Sequence, residues 1–329
     1  MPKVSIIIPN YNHAQYLEKR IQSVLDQTYQ DFEIIYLDDV STDNSNEVFA
    51  KFAGDKRIRA IYNQVNSGST FKQWNKGMSE AKGEYVWIAE SDDYADESLL
   101  AKLVAKLDEH PTVGIAYCQS WGIDSEGKRI FSWKEHTDGL DKNRWQRDFV
   151  DHGKNEWQYL LFINTIPNAS AVLMRREVFI KAGKCDEQLR LVGDWMMWAK
   201  MLRISDIAFV AEPLNYFRTH IKTVRSTTEK NGLHIEEEYQ VLKYLLDNMN
   251  LSNEIITKAV EQMAERWVHR LVVERGRVSW ERNRTIYQIA SSIDPKIRLR
   301  LIKKLSKRFF RKIKHILVNR IPVLQQVAS

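Results

Sequence analysis

The chain has 329 residues, 43% of them hydrophobic and 28% charged, with a formal net charge of +6. That length points to more than one compact core, and the composition excludes a disordered or fibrous chain. Two distant cysteines, Cys118 and Cys185, exclude a disulfide framework, and no apolar run approaches the roughly 20 residues that span a bilayer.

The first residues run straight into an apolar segment, Val4–Ile8, of the kind that forms a strand buried on both faces. With no apolar leader ahead of it, a cytoplasmic, reducing location is expected. Leu17, Ile21, Val24 and Leu25 then recur at helical spacing. Phe32–Leu37 reads as a second strand, Val48–Phe52 as helix, and Ile58–Tyr62 as a third strand. A helix over Phe71–Ala81 leads to a fourth strand at Tyr85–Ala89 and a helix through Leu99–Leu107. This alternation predicts an α/β domain with a mostly parallel sheet and flanking helices.

Further strands are expected at Gly114–Gln119, Ile130–Trp133, Ser170–Met174 and Ile207–Val210, with a Trp- and Met-rich helix at Asp194–Leu202. Residues 134–160, polar and irregular, read as a long loop or lid. From about Thr227 the pattern is helical only: Glu236–Met249, Ile255–Arg275 and Trp280–Ile293. The chain is thus expected to divide at 226/227 and again at 294/295, into an α/β domain, a helical extension and a tail.

Charge separates the tail from the rest. From Pro295 onward there are eleven Lys or Arg and no acid, and removing those eleven from the total of +6 leaves −5 for residues 1–294. Between Lys296 and Arg320 these cations alternate with Leu299, Ile302, Leu305, Phe309, Phe310, Ile313, Ile316 and Leu317, the spacing of a basic amphipathic helix. An anionic membrane surface is the expected partner. Packing on the preceding helices is the alternative. Nucleic acid ranks last, because the body is acidic and no nucleic-acid module is present.

The polar clusters fall where parallel strands end: Pro9-Asn10-Tyr11-Asn12, Asp38-Asp39-Val40-Ser41-Thr42-Asp43 and Glu90-Ser91-Asp92-Asp93. Ligands of such sheets bind outside the carboxyl ends of the strands. Any one cluster is explained as well by helix capping, with Asp43 or Ser41 as the cap. Together they gather carboxylates that repel one another unless a cation or hydrogen-bond donors enter, and hard oxygen ligands suit Mg2+ or Mn2+. No Gly-x-Gly-x-x-Gly follows Ile8, which argues against a dehydrogenase.

The ordered set SIIIPNYN (5–12), SVLDQTY (23–29), DDVSTDNS (38–45), NSG (66–68), NKG (75–77), GEY (83–85), ESDD (90–93), GDWMMW (193–198) and YFRTH (216–220) resembles the inverting family 2 glycosyltransferases. The resemblance implies a GT-A fold and transfer of a sugar from a nucleotide-diphosphate donor to a glycan or lipid-linked acceptor, in cell-surface polysaccharide synthesis, by a protein on the inner face of the cytoplasmic membrane. It implies nucleotide-sugar contacts from Asp38 and Asp39, with Pro9, Tyr11, Asn12, Asn66, Gly68, Lys72 and Ser91 around them. Asp92, with Asp93 and His220, would hold a divalent metal, Mn2+ or Mg2+, and Asp194 would be the general base. Trp195 and Trp198 could stack on acceptor sugar, with core packing the commoner fate and favoured for Trp198. Three departures stand out: Val40 and Glu90 replace the usual Gly and Asp, and Gly193 occupies the place of a second acid. A nucleotide-sugar-binding protein without activity and a hydrolase of glycosides or nucleotide sugars are the competing readings.

Overall fold

The computed structural model describes residues 1–219, 231–273 and 278–319. The chain forms two compact units, Met1–Val224 and Arg225–Ser329. The tail expected to stand apart from residue 295 belongs to the second of them, together with the helices before it.

The first unit is built on a ten-stranded sheet. Its strands are β1 (Val4–Asn10), β2 (Phe32–Asp38), β3 (Ile58–Tyr62), β4 (Tyr85–Ile88), β5 (Tyr94–Ala95), β6 (Val113–Ile123), β7 (Arg129–Ser132), β8 (Phe149–Asp151), β9 (Val172–Arg175) and β10 (Asp206–Arg218). The order across the sheet is β3-β2-β1-β4-β9-β6-β10-β5, with β7 beside β6 and β8 beside β10. β3, β2, β1 and β4 pair in parallel. β9 runs antiparallel to both β4 and β6, and β10 returns parallel to β6.

Every residue of β1 is buried, which is why its sequence is a continuous rather than alternating apolar run. Helices α1 (Ala14–Leu25) and α4 (Leu99–Glu109) turn Leu17, Ile21, Val24, Leu100, Leu103 and Leu107 into the core formed with β1, β2 and β4. α2 (Ser45–Ala50) and α3 (Thr70–Glu80) follow β2 and β3. The chain leaves β1 for β2 on one side and for β4 on the other. In doubly wound sheets the ligand site lies at the carboxyl ends of the strands, where the winding reverses, here between β1 and β4.

Residues 134–160 are not the loop or lid their polarity suggests. They form α5 (Lys134–Thr137), a 3-10 turn, β8 and α6 (Gly153–Leu160). A buried ion pair organises them. Glu156 is fully buried, meets the Arg144 guanidinium at 2.8 Å and accepts the Thr165 hydroxyl at 2.5 Å, and Arg144 also pairs with Asp151. Burial pushes the Glu156 carboxyl above its ordinary range, against the pull of Arg144. β10 extends well beyond the expected Val210, its pairing to β6 shifting register around Pro213, where a bulge accommodates the missing N–H.

α7 (Arg176–Lys181) and α8 (Gly193–Leu202) complete the first unit. In the second, helices Leu233–Asn248, Asn253–Val273, Trp280–Ile293 and Ile297–Asn319 enclose Tyr239, Leu242, Leu245, Ala264, Val268, Ile286 and Ile297. Among the described residues, no helix is long and apolar enough to cross a membrane.

Arg144→Ala leaves the Glu156 carboxylate buried without its cation. Chemical denaturation is expected to register a loss of about 3–5 kcal/mol, whereas replacing an exposed cation such as Lys142 changes little.

Candidate active site

The site is assembled from the strand ends inward. At the end of β1, Pro9 is buried within the strand and the Asn10 amide donates to Asp38 Oδ1, the Tyr36 hydroxyl and Ser41 Oγ at 3.0–3.2 Å. Asp38 also accepts the Ser41 N–H at 2.9 Å. Asn12, at φ 58, a left-handed conformation that Asn tolerates, holds the loop after β2 by accepting the Thr42 N–H at 2.7 Å. Tyr11 beside it is 49% exposed.

Asp39 is the centre of this corner. Its Oδ1 accepts from Asn63 Nδ2 (2.6 Å), Ser67 N (2.8 Å) and Gln73 Nε2 (3.0 Å), and its Oδ2 from the Ser67 hydroxyl (2.7 Å). Asn66 ties its amide to the Asp39 carbonyl and accepts the N–H of Gly68, which sits at φ 64. Lys72 is exposed in the first turn of α3. Three buried side-chain atoms on these residues, Asn10 Oδ1, Ser69 Oγ and Gln73 Oε1, have no hydrogen-bond partner among the described residues. Buried polar atoms are rarely left in that state, and these mark where a ligand's polar groups would be received.

The turn after β4 concentrates acid. Glu90 accepts the indole N–H of Trp74 at 2.7 Å, and burial together with the Asp92 charge pushes its carboxyl up to about 8. Asp93 is likewise raised to about 7 by burial and then by Asp92. The counter-charge is Arg20, fully buried, donating to the Glu90 carbonyl at 2.8 Å and to Ser170 Oγ at 3.2 Å. Its other terminal nitrogen, Nη1, has no partner among the described residues. Ser91 is buried and paired with His13 Nδ1 at 2.8 Å, which ties this turn to the loop after β1.

Asp92 and Asp93, expected to share a metal, face different surroundings. Asp93 is 2% exposed and accepts the Arg218 N–H at 2.8 Å, so it is turned into the fold as an anchor for β10 and is not disposed as a ligand. Asp92 is half-buried, with its carbonyl held by Arg218 Nε at 2.6 Å. Among the described residues no three acidic, His or Cys side chains form a ready-made metal cluster. One hard carboxylate on a turn already crowded with negative charge nonetheless suits Mg2+ or Mn2+, which take one or two protein carboxylates and fill the rest with phosphate and water. His220 lies outside the described residues.

Asp194 sits in the first turn of α8, where the helix dipole favours a carboxylate. The cap is Val192, so Asp194 does not serve as the N-cap. Its Oδ1 accepts the Trp195 N–H at 2.7 Å and its Oδ2 the Asn164 amide at 3.1 Å. The two tryptophans considered for acceptor stacking are core residues: Trp195 is 6% exposed and Trp198 fully buried. Their indole N–H groups donate to the carbonyls of Leu160 and Ile166, and Trp157 donates to Ala199. Buried and held by these edge-on bonds, the two rings serve to fix α8. Gly193 has a steric cause: a Cβ there would come within 2.5 Å of the buried Phe71 ring, which leaves no room for a second acid.

Arg20, Gln73, Trp74 and Asn164 escaped sequence reading. Each is an ordinary polar or aromatic residue in a regular element or loop, and only the partner across space gives it a role.

Residues 5–183 match the family model described as Glycosyl transferase family 2. The chain is 41% identical over 225 residues, 68% of its length and 73% of the relative's, to Glycosyltransferase GlyG of Streptococcus pneumoniae serotype 4. Its fold is similar to that of S. aureus TarS crystallised with UDP-GlcNAc, with a TM-score of 0.65 at 17% identity over 92% of this chain and 89% of that one. It is also similar to the mannosyltransferase PcManGT from Pyrobaculum calidifontis in complex with GDP-Man and Mn2+, with a TM-score of 0.55 at 15% identity over 94% and 88%.

Val40 adopts φ 66, a left-handed conformation that is strained for a β-branched residue. Val40→Gly is expected to raise stability by about 1 kcal/mol in chemical denaturation, the relief of strain exceeding the added entropy of the unfolded chain. Glu90 and Asp93 hold protons in the folded state that the unfolded chain has already released. Stability therefore falls as pH rises from 4.5 to about 8. Melting in metal-free buffer across that range should show the decline, and Glu90→Gln, whose amide oxygen can still accept from Trp74, should reduce it to the part that Asp93 contributes.

Proposed function

The chain belongs to glycosyl transferase family 2, and on that premise we propose that it moves a sugar from a nucleotide-diphosphate donor to a hydroxyl of a glycan or lipid-linked acceptor, inverting the anomeric centre. The observation that carries this reading is the meeting of three differently built groups on one helix. Gln73 of α3 binds Asp39, Trp74 binds Glu90 of the acidic turn, and Phe71 packs under the first residue of α8, next to Asp194. A nucleotide pocket, a diphosphate end and a base are thereby held in one rigid frame.

In this reading the corner around Asp38 and Asp39 takes the nucleoside, with Tyr11 exposed at its rim and Lys72 near the phosphates. Asp92 would hold Mg2+ or Mn2+, and such an ion would supply positive charge to offset that of the leaving group. Asp194, in the first turn of α8 and oriented by Asn164, takes the proton of the acceptor hydroxyl as it attacks. Neutral or acid-rich surroundings at the turn fit a site that awaits a cation. TarS bound UDP-GlcNAc and PcManGT bound GDP-Man with Mn2+ in their crystals, which supports a nucleotide-sugar donor here. The setting we infer is cell-surface polysaccharide synthesis by a peripheral protein on the inner face of the cytoplasmic membrane.

Asp194→Asn should lower transfer of labelled sugar by about 10²–10⁴-fold while donor binding is retained. Asp92→Asn should instead weaken metal-dependent binding of the donor. Donor consumption that proceeds equally without acceptor would make the protein a hydrolase. Full transfer by Asp194→Asn would remove the assignment of the base.

A further inference from the structure

The tail helix Ile297–Asn319 has its polarity arranged inside out. The side that meets the rest of the second unit carries charge: Arg300 pairs with Asp294 at 2.7 Å and with Glu261, Lys304 with Glu261 at 2.7 Å and Glu265 at 3.3 Å, and Arg308 with Glu265 at 3.1 Å. Between residues 297 and 310, whose burial is described, Ile297 is the one apolar residue that is buried there. The opposite side is apolar and open: Leu299 is 67% exposed, Ile302 52%, Phe309 63% and Phe310 68%. At 100° per residue these four fall within one outward arc, and Arg298, Lys303 and Lys307, all exposed, flank it. A helix of a globular protein in water places these two faces the other way round.

From this inversion we propose that the outward face of the tail helix is a docking surface for an anionic lipid bilayer. Leu299, Ile302, Phe309 and Phe310 enter the boundary between headgroups and acyl chains, and Arg298, Lys303 and Lys307 lie against the headgroups. The inward cations are already neutralised by Glu261, Glu265 and Asp294, so they hold the helix in place and leave the flanking ones to set the preference for anionic lipid. A second copy of the chain is the poorer occupant. A two-fold contact through this face would bring each basic rim onto its own counterpart, and like charges facing across an interface repel. Nucleic acid would account for the cations but not for four exposed apolar side chains. The surface names how the proposed enzyme would reach a lipid-linked acceptor, but it rests on the helix itself, independent of the donor chemistry.

The test is co-sedimentation of the full chain with vesicles of phosphatidylglycerol and phosphatidylethanolamine, and with phosphatidylcholine alone. Phe309→Ser/Phe310→Ser and Lys303→Gln/Lys307→Gln change only exposed side chains, and melting by circular dichroism confirms that both remain folded. The expected result is binding to the anionic vesicles and not to phosphatidylcholine. The Phe pair should weaken it at least tenfold, and each cation removed should weaken it about fivefold, a difference that disappears near about 1 M salt. Absence of binding to anionic vesicles, or binding by either variant equal to that of the unaltered chain, overturns the proposal. So does a concentration-dependent dimer in sedimentation equilibrium that the Phe pair dissolves without changing lipid binding. Donor binding measured on the same samples separates failure here from failure of the catalytic reading.

Discussion

The first turns of α3 are the constraint on which the site depends. Phe71, Gln73 and Trp74 fall within four residues, and each closes a contact with a different part of the sheet's carboxyl edge. Gln73 and Trp74 do so by hydrogen bonds to the carboxyl oxygens of Asp39 and Glu90, which fix orientation as well as distance. Phe71 does so by filling the space that a side chain at 193 would occupy. Trp74 also reaches the Trp198 ring at a centroid distance of 6.2 Å, so α8 is tied to the same helix twice. A small displacement of α3 would therefore be felt at Asp39, Glu90 and Asp194 together.

The electrostatics of the acidic turn are unbalanced by design of the fold rather than by any one residue. Glu90, Asp92 and Asp93 follow a buried strand, and two buried cations lie beside them, Arg20 from α1 and Arg218 from β10, the latter spending its Nε on the Asp92 carbonyl. Burial lowers the proton affinity of the Arg20 guanidinium to about 10, while the three acids pull it back up. Charges removed from water in this way cost free energy unless they are paired and hydrogen-bonded. The raised carboxyls of Glu90 and Asp93 are the visible sign that pairing is incomplete.

Much of this was legible in the sequence, for physical reasons that differ by element. β1 and β4 announce themselves because strands buried on both faces must be apolar throughout, and α1 and α4 because one face of each must be. The acids at strand ends could be read because a parallel sheet sends its loops to one edge. Residues 134–160 could not, since a buried Arg144–Glu156 pair looks in one dimension like surface charge. Trp195 misled in the opposite sense: an indole near an acid suggests a sugar platform, yet its N–H found a carbonyl in the core, as did that of Trp198, where core packing was the favoured expectation. Asn164 had no signal, because its meaning lies in the oxygen it faces thirty residues away. In the tail the period was plain, but sequence could not say which face turns inward.

The saturation of Asp39 bears on selectivity. Oδ1 is already surrounded by three donors, so only Oδ2 keeps room for another hydrogen bond. The neighbouring unpartnered atoms Asn10 Oδ1 and Gln73 Oε1 are likewise oxygens that accept and cannot donate. A molecular edge that offers N–H or O–H groups to this corner is welcomed at each position. One that offers lone pairs meets lone pairs at Asp39, Asn10 and Gln73, and of these unpartnered groups the Ser69 hydroxyl alone can donate to it, so the corner discriminates by refusal as much as by attraction.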